Sequence, residues 1–544
     1  MKKYETEAIV IGGGATGTGT ARDLAMRGVS TVLIEKNDIA SGTTGRNHGL
    51  LHSGARYAVN DLESARECIA ENKILKKIAS HCVEDTGGLF VTLPEDDPSY
   101  HSLLMEHCRY AGIKCRDISL KEALKIEPNL NPNALSVLHV PDGTIDPFRL
   151  ASANMLDARE RGALILTHSR VTGVIRSGSE VTGVTGETAD GETFEVHGRL
   201  VVNASGVWGQ QICRLAGIDL LMFPSKGSML IIDYRINSVV VNRCRMPADG
   251  DIIVPGDTVS LVGTTSQKIE YDKIDECIVE NSEIDTLLSE GEKLIPNLSL
   301  TRAMRAYCGV RPLIAISGEM DGREISRGIV LIDHEKRDGL GGFITIAGGK
   351  LMTYRLMAKM AADLACLKLK NRARCRTHKE PLPGSERRSL SRRSVKSFTG
   401  IPRSIVGSTF YRHGERVSGI LNTSKKNYAL ICECEMVTLG EIEYAIKNLQ
   451  VKDLVDLRRR TRIGMGPCQG ELCAYRGAGL LAEYEAVSPE DSNRMLRDFL
   501  EERWKGVKPV LWGDALRESE FTYWIYHGLF GLGDAAKPGD GETP

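Results

Sequence analysis

Ala8-Ile9-Val10-Ile11-Gly12-Gly13-Gly14-Ala15-Thr16-Gly17 runs from an apolar strand pattern into spaced glycines, and Glu35 closes the next apolar run. Gly12 permits a tight turn, Gly14 lets the backbone approach a pyrophosphate, and Gly17 lets a helix pack closely on the strand. The spacing predicts a strand over 7–11, a helix from about Thr16 to Arg27 with Gly28 at its C-cap, and a second strand from Ser30 to Glu35. The helix N-terminus would offer free N–H groups to phosphates. Glu35, placed to accept from ribose hydroxyls, argues against a 2′-phosphate.

The 544 residues exceed one compact domain. Hydrophobic residues at 42%, charged residues at 26% and a net charge of -1 are ordinary soluble composition, with no basic field for nucleic acid. No apolar run of about 18 residues predicts a membrane span. Met1-Lys2-Lys3-Tyr4-Glu5 leads directly into the first strand, so a cytoplasmic chain is expected. Most of the 14 cysteines are scattered, as reduced thiols are.

Two further strand-turn-helix patterns follow. One is Arg199 to Val202, then Asn203-Ala204-Ser205-Gly206; the other is Phe343 to Ala347, then Gly348-Gly349-Lys350. Residues 61–80 read as a helix, and strand runs at 226–233 and 252–265 suggest an inserted antiparallel-sheet domain. The expected division has a nucleotide domain at 1–92, 146–215 and 329–375, and a substrate domain at 93–145 and 216–328. A linker at 376–426, a cysteine module at 427–480, a helical region at 481–532 and a disordered tail at 533–544 complete it.

The segment Ser41 to His48, with Thr43, Thr44 and Gly45, is too rich in glycine and hydroxyls for helix interior and can lie along a flavin. Gly348 and Gly349 precede a helix whose N-terminus can stabilise charge on a reduced flavin. The fingerprint, Asn47 to Tyr57, Tyr307 to Leu313 and Gly348 to Arg355 together resemble the FAD-dependent glycerol-3-phosphate dehydrogenases. With the C-terminal cysteines added, the chain is similar to the catalytic subunits of the family's anaerobic respiratory branch. This resemblance covers residues 5–530.

It implies an α/β fold: a FAD-binding Rossmann-like domain of the glutathione-reductase/D-amino-acid-oxidase type, an inserted antiparallel-sheet substrate domain, and a small C-terminal helical [2Fe–2S]-binding domain. It implies FAD contacts from Gly12, Gly14, Gly17, Glu35, Thr43, Thr44, Gly45, His48, Ala204, Gly206, Gly348, Gly349, Lys350, Leu351 and Met352. The substrate implied is sn-glycerol 3-phosphate, and the partners are further subunits, including a membrane-anchoring iron–sulfur subunit that leads to a quinone. That places the chain on the inner face of the cell membrane.

A small dianion with a secondary alcohol needs cations on its phosphate, Arg as a bidentate partner and Lys as a point charge. By resemblance Arg56, Tyr57, Arg311 and Lys350 line the pocket with Thr353 nearby, and Gly263-Thr264-Thr265 sits at its edge. Arg311, His52 and Lys350 are the catalytic candidates. His52 and His48 are proton acceptors by residue type; alternatively Arg311 holds the alkoxide while water takes the proton. In the aerobic relatives a His follows the Lys-Gly-Ser that matches Lys226-Gly227-Ser228; here it is Met229.

Cys432-x-Cys434 and Cys468-x4-Cys473 supply four thiolates, which suit [2Fe–2S] or zinc. The spacing resembles the bacterioferritin-associated-ferredoxin-like [2Fe–2S] domain. Arg458, Arg459, Arg460 and Arg462 are either cations that favour a reduced cluster or a solvated basic face. Trp504, Trp512, Phe521, Tyr523, Trp524, Tyr526 and Phe530 form either a docking face or a core contact. The rival readings are an amine or amino-acid dehydrogenase on the same flavin fold, and a scaffold with a zinc-bound module.

Overall fold

Lys2–Ile11 lies between Thr31–Ile34 and Thr193–Asn203, parallel to both. Phe343–Gly348 runs parallel to the far end of Thr193–Asn203, and Leu164–Leu166 extends the other side. The strands are buried on both faces. Ala8 and Val10 pack with Leu24, Met155 and Met357, while Ile9 and Ile11 pack with Val184, Val201 and Phe343. That accounts for the unbroken apolar run, since a strand covered on both faces has no polar side to alternate with. Ala15–Met26, Pro147–Glu160 and Tyr354–Lys368 form the layer over one face. The computed structural model describes residues 1–314, 328–386, 398, 400–485 and 487–532; the expected tail at 533–544 and the middle of the expected linker lie outside them.

Among the described residues a nine-stranded second sheet is built from the segments between. Ser225–Ile232 pairs antiparallel with Ala303–Arg311 on one side and Val259–Gly263 on the other. Its neighbours are antiparallel throughout except where Val240–Arg243 meets Gly88–Thr92. Gly88–Thr92 belongs to this sheet, so the second-domain segment begins a few residues before the expected residue 93. Asn281–Leu294 covers one face through Ile284 and Leu287, which pack on Leu230, Ile232 and Val262.

The expected linker at 376–426 is in part a folded element. Arg403–His413 and Val417–Leu421 are helices that bury Ile405, Val406, Val417 and Leu421 together with Phe398. Arg412 and Glu441 then form a buried ion pair at 2.6 Å with the cysteine module. The Arg- and Ser-rich composition concealed these short amphipathic turns. The module itself has a hairpin, Leu430–Cys432 with Val437–Thr438, and the helices Leu439–Asn448, Leu454–Thr461 and Ala474–Glu485. Its core joins Cys432 and Cys473 to Ile442, Leu457, Phe499 and Tyr526.

Candidate active site

A cavity of about 660 Å³ starts where the parallel strands end. Gly12 adopts φ +113°, and a Cβ there would stand 2.5 Å from the carbonyl oxygen of Ala204. A Cβ on Gly17 would overlap the carbonyl of Gly12, so that glycine seats the helix on the strand and does not line the cavity. The helix Ala15–Met26 opens without a side-chain cap on Gly14. Glu35 is buried on the cavity wall and accepts from Gly13 N at 2.6 Å and Asn37 N at 2.9 Å. Burial pushes its carboxyl upward while these two amides oppose the shift. An open glycine cradle, an uncapped helix N-terminus and a carboxylate beyond them fit the pyrophosphate and ribose of FAD.

Thr43, Thr44, His48, Ala204, Gly206, Gly348, Gly349, Lys350, Leu351 and Met352 line the same cavity. Thr44 Oγ1 accepts from Ala15 N at 2.9 Å, and Thr43 Oγ1 donates to Val310 O at 2.6 Å. The Thr43–Gly45 turn therefore clips the nucleotide helix to the second sheet. Gly45 faces away, against Phe148 and Ala40. Trp208, with Lys36 at 3.9 Å from its ring centroid, is a cavity residue that sequence reading missed. No glycine motif marks it.

At the other end, side chains from both sheets meet. Lys350 Nζ donates to Ser64 Oγ at 3.0 Å and stands 4.5 Å from the Tyr57 ring centroid. Tyr57 packs edge-on to His52 at 5.3 Å, and His52 edge-on to His48 at 5.9 Å. Burial, with Arg56 and Arg311 nearby, pushes His48 down to about 3. Its Nδ1 accepts from Leu50 N at 3.2 Å, which assigns the proton to Nε2.

Arg311 comes from the end of a second-sheet strand, and that sheet fixes it. Its Nη2 donates to Thr264 Oγ1 at 2.7 Å and Thr265 O at 3.0 Å. Its Nη1 donates to Ser225 Oγ at 3.3 Å and Lys226 O at 3.2 Å. A Cβ on Gly227 would press on the guanidinium at 2.5 Å, so that glycine makes room for it. Met229, the apolar residue after Lys226-Gly227-Ser228, is buried beside Gly263.

Two expected pocket residues stand behind the wall. Arg56 pairs with Asp251 at 3.1 Å and donates to Ala248 O at 3.1 Å. Thr353 is fully buried, accepts from Lys350 N at 2.9 Å and donates to Lys350 O at 3.0 Å, fixing the Lys350 turn.

The four C-terminal cysteines converge. The Cys473 thiol faces those of Cys432 and Cys468, and Cys468 faces Cys434. Backbone N–H groups of Glu435 and Gly464 reach Cys432, that of Cys468 reaches Cys434, and those of Gly470 and Leu472 reach Cys468. Among the described residues, the group of three or more ligand side chains whose ligand atoms all lie within 4.8 Å is His168, Asp453 and Asp456. The sulfurs are therefore strung out further than one tetrahedral ion, with ~2.3 Å bonds to sulfur, would gather them. Amide-solvated thiolates on that span fit a binuclear cluster. Arg503, buried and electrostatically close to Cys468, is the nearby cation that sequence reading missed.

The Arg458 to Arg462 run is not a solvated face. Arg460 pairs with Asp38 of the nucleotide domain, and Arg459 bonds the same carboxylate at 3.1 Å. Arg462 reaches Asp257 at 2.7 Å, Glu435 at 2.8 Å and Asp146 at 3.1 Å. Three of these arginines dock the module on the flavoprotein part. Of the C-terminal aromatics, Tyr526 is buried and donates to Glu471 O at 2.7 Å; Trp504, Trp512, Phe521, Tyr523, Trp524 and Phe530 are exposed.

Residues 7–355 match the FAD dependent oxidoreductase family, and residues 430–483 the BFD-like [2Fe-2S] binding domain. The chain is 56% identical to the A subunit of the anaerobic glycerol-3-phosphate dehydrogenase of Escherichia coli (strain K12), over 97% of each chain. It is 53% identical to the Haemophilus influenzae protein of that name, over 100% of this chain and 96% of that one. The Bacillus halodurans glycerol-3-phosphate dehydrogenase complexed with FAD shares the fold, with TM-score 0.70 at 23% identity over 94% of this chain and 96% of that one. Among the described residues no helix is long and apolar enough to cross a membrane. The chain belongs to the FAD-dependent oxidoreductases, in the family of anaerobic glycerol-3-phosphate dehydrogenase A subunits, and carries a C-terminal [2Fe–2S]-binding domain.

Proposed function

We propose that this chain oxidises sn-glycerol 3-phosphate to dihydroxyacetone phosphate and delivers the electrons, through further subunits including a membrane-anchoring iron–sulfur subunit, to a quinone at the inner face of the cell membrane. The observation that carries this reading is the continuous series Lys350, Tyr57, His52, His48 and Arg311 on one cavity wall, with one cation from each of two domains. Two separated cations suit a phosphate and an alcohol oxygen better than the single carboxylate of an amino acid.

When bound, FAD supplies the acceptor for the hydride leaving C2, and the [2Fe–2S] group lets electrons leave singly. The chain's own residues bind, orient and move the proton. Lys350, fixed by Ser64 and Thr353, is a point charge for the phosphate. Arg311, held at both terminal nitrogens, cannot swing, so an oxygen bound to it stays in one place. His48 is neutral and carries its proton on Nε2, so it donates toward the substrate and accepts nothing there. His52 takes the C2 hydroxyl proton.

Anaerobic titration of the FAD-loaded chain with sn-glycerol 3-phosphate tests the reading. Bleaching of the flavin band by this ester, and not by glycerol or an amino acid, is expected. A flavin that ignores the ester and responds to an amino acid would overturn it.

A further inference from the structure

A second cavity, of about 300 Å³, lies at the three-way junction of the nucleotide domain, the second sheet and the cysteine module. It shares Ser41, Asn47 and His48 with the flavin cavity but faces the other side of that loop. Among the described residues, seven cationic and four carboxylate side chains line it. Each carboxylate already has an ion-pair partner, although the Glu502 charge also acts on Arg305 and Arg46. Asp146 and Asp257 pair with Arg149 and Arg462, Asp275 with Lys36, and Glu502 with Lys505. Arg459 finds its partners in Asp38 and Asp456.

Three guanidinium groups remain, one from each body: Arg46, Arg305 and Arg458. Among the described residues none of them has a carboxylate within ion-pair distance. Arg305 is 7% exposed; it donates to Glu502 O at 3.3 Å, and its Nε has no partner. The buried Nε of Arg458 has no partner either. Burial holds both guanidinium groups below the usual arginine range, with Arg503 and Arg46 adding to it at Arg305, which stands at about 10, and Arg305 and Arg459 at Arg458; Glu502 offsets it only in part. Uncompensated buried charge is strongly unfavourable unless something pairs with it.

We propose that the junction cavity is an anion site for a phosphoryl dianion, either inorganic phosphate or a phosphate monoester, held by Arg46, Arg305 and Arg458 and separate from the substrate position at Arg311. The terminal oxygens of a phosphoryl group match the forked donors of guanidinium, and its charge offsets the surplus left by the wall. Bound there, it clamps the cysteine module to the flavin-binding loop.

The test is the thermal midpoint of the FAD-loaded full chain in low-salt, phosphate-free buffer, with inorganic phosphate or phenyl phosphate added. Wild type and Arg311→Gln should both gain several degrees with phosphate. Arg305→Gln/Arg458→Gln should lose that gain. Without phosphate the double variant should melt at or above the wild-type temperature, because two buried charges with no carboxylate at ion-pair distance are gone; a purely structural role would lower it. Arg46→Gln, at an exposed position, gives a second readout and should weaken phosphate binding several-fold. The larger of the two shifts identifies free phosphate or an ester as the better ligand. Loss of the phosphate response in Arg311→Gln, or its full survival in the double variant, would overturn the proposal, as would a double variant that melts well below wild type without phosphate.

Discussion

The ammonium of Lys350 stands 4.5 Å from the centre of the Tyr57 ring, a cation held over an aromatic face at the cavity wall. The ring orients the charge at the cavity wall. Lys350→Met is expected to lower kcat/KM for sn-glycerol 3-phosphate about 10- to 100-fold, the equivalent of ~1.5–3 kcal/mol for a hydrogen bond to a charged group. Tyr57→Phe keeps the ring and should cost far less than Tyr57→Leu. Steady-state kinetics with an artificial acceptor checks both.

Gly227→Ala tests the seating of Arg311 without touching its charge. The added methyl meets the guanidinium at 2.5 Å, so Arg311 must leave Thr264 or Ser225. The expected outcome is a fall in kcat/KM of the same order as for Arg311→Gln, with normal FAD content by absorption. Full activity would show that the fixed geometry is unnecessary.

Cys432→Ser or Cys473→Ser should remove iron and leave FAD in place, since the four thiols lie in a module outside the nucleotide cavity. Metal analysis should find about two irons per wild-type chain and none in the variants. Flavin bleaching by substrate should persist while reduction of the physiological acceptor is lost. Stoichiometric zinc would contradict this.

The junction should be sensitive to acid. Burial pushes the carboxyls of Asp38, Asp257 and Glu441 upward, but Arg460 and Arg459, Arg462 and Arg149, and Arg412 respectively outweigh it, and all three lie below their ordinary values. A lowered carboxyl contributes stability that is complete above its unfolded value and is lost as pH falls toward the folded one. Those ordinary values are 3.8 for the aspartates and 4.5 for Glu441. The thermal midpoint should thus be flat from neutral pH to about 5 and fall below it. Glu441→Gln, which leaves buried Arg412 unpaired, should cost about 3–5 kcal/mol at pH 7 and flatten the acid limb.

His168 moves in the opposite sense. Burial disfavours its charged form, but the 2.9 Å bond to Asp456 prevails and raises it above 6.5. Its contribution is complete below 6.5 and fades as pH rises through the folded value. His168→Gln should remove a modest alkaline loss of stability, read as a shallower decline in midpoint between pH 7 and 8.5.

The sequence made the nucleotide half legible because its requirements are local. Gly12 must turn with positive φ, Gly17 must leave room, and Glu35 ends the very next strand. Arg311 and Lys350 stood out in the sequence and line the cavity, but what holds Arg311 did not stand out. Thr264 and Ser225 meet Arg311 only because distant strands pair, and Gly227 gives no sign that it faces a guanidinium. The Arg458 to Arg462 run showed charge without partners, since Asp38 is 422 residues from Arg460. Arg56 sits within the expected motif, yet Asp251 draws it behind the wall.

The docking arginines also restrict how such a chain can be assembled from parts. Arg459, Arg460 and Arg462 meet Asp38, Asp146 and Asp257, which belong to the loop after Thr31–Ile34, to the N-cap of Pro147–Glu160 and to a turn of the second sheet. The module therefore does not travel as a cassette. Grafted onto another flavoprotein of the same fold without those three aspartates, it would bring unneutralised guanidinium groups to a dry seam. A working fusion must inherit both halves of the junction together.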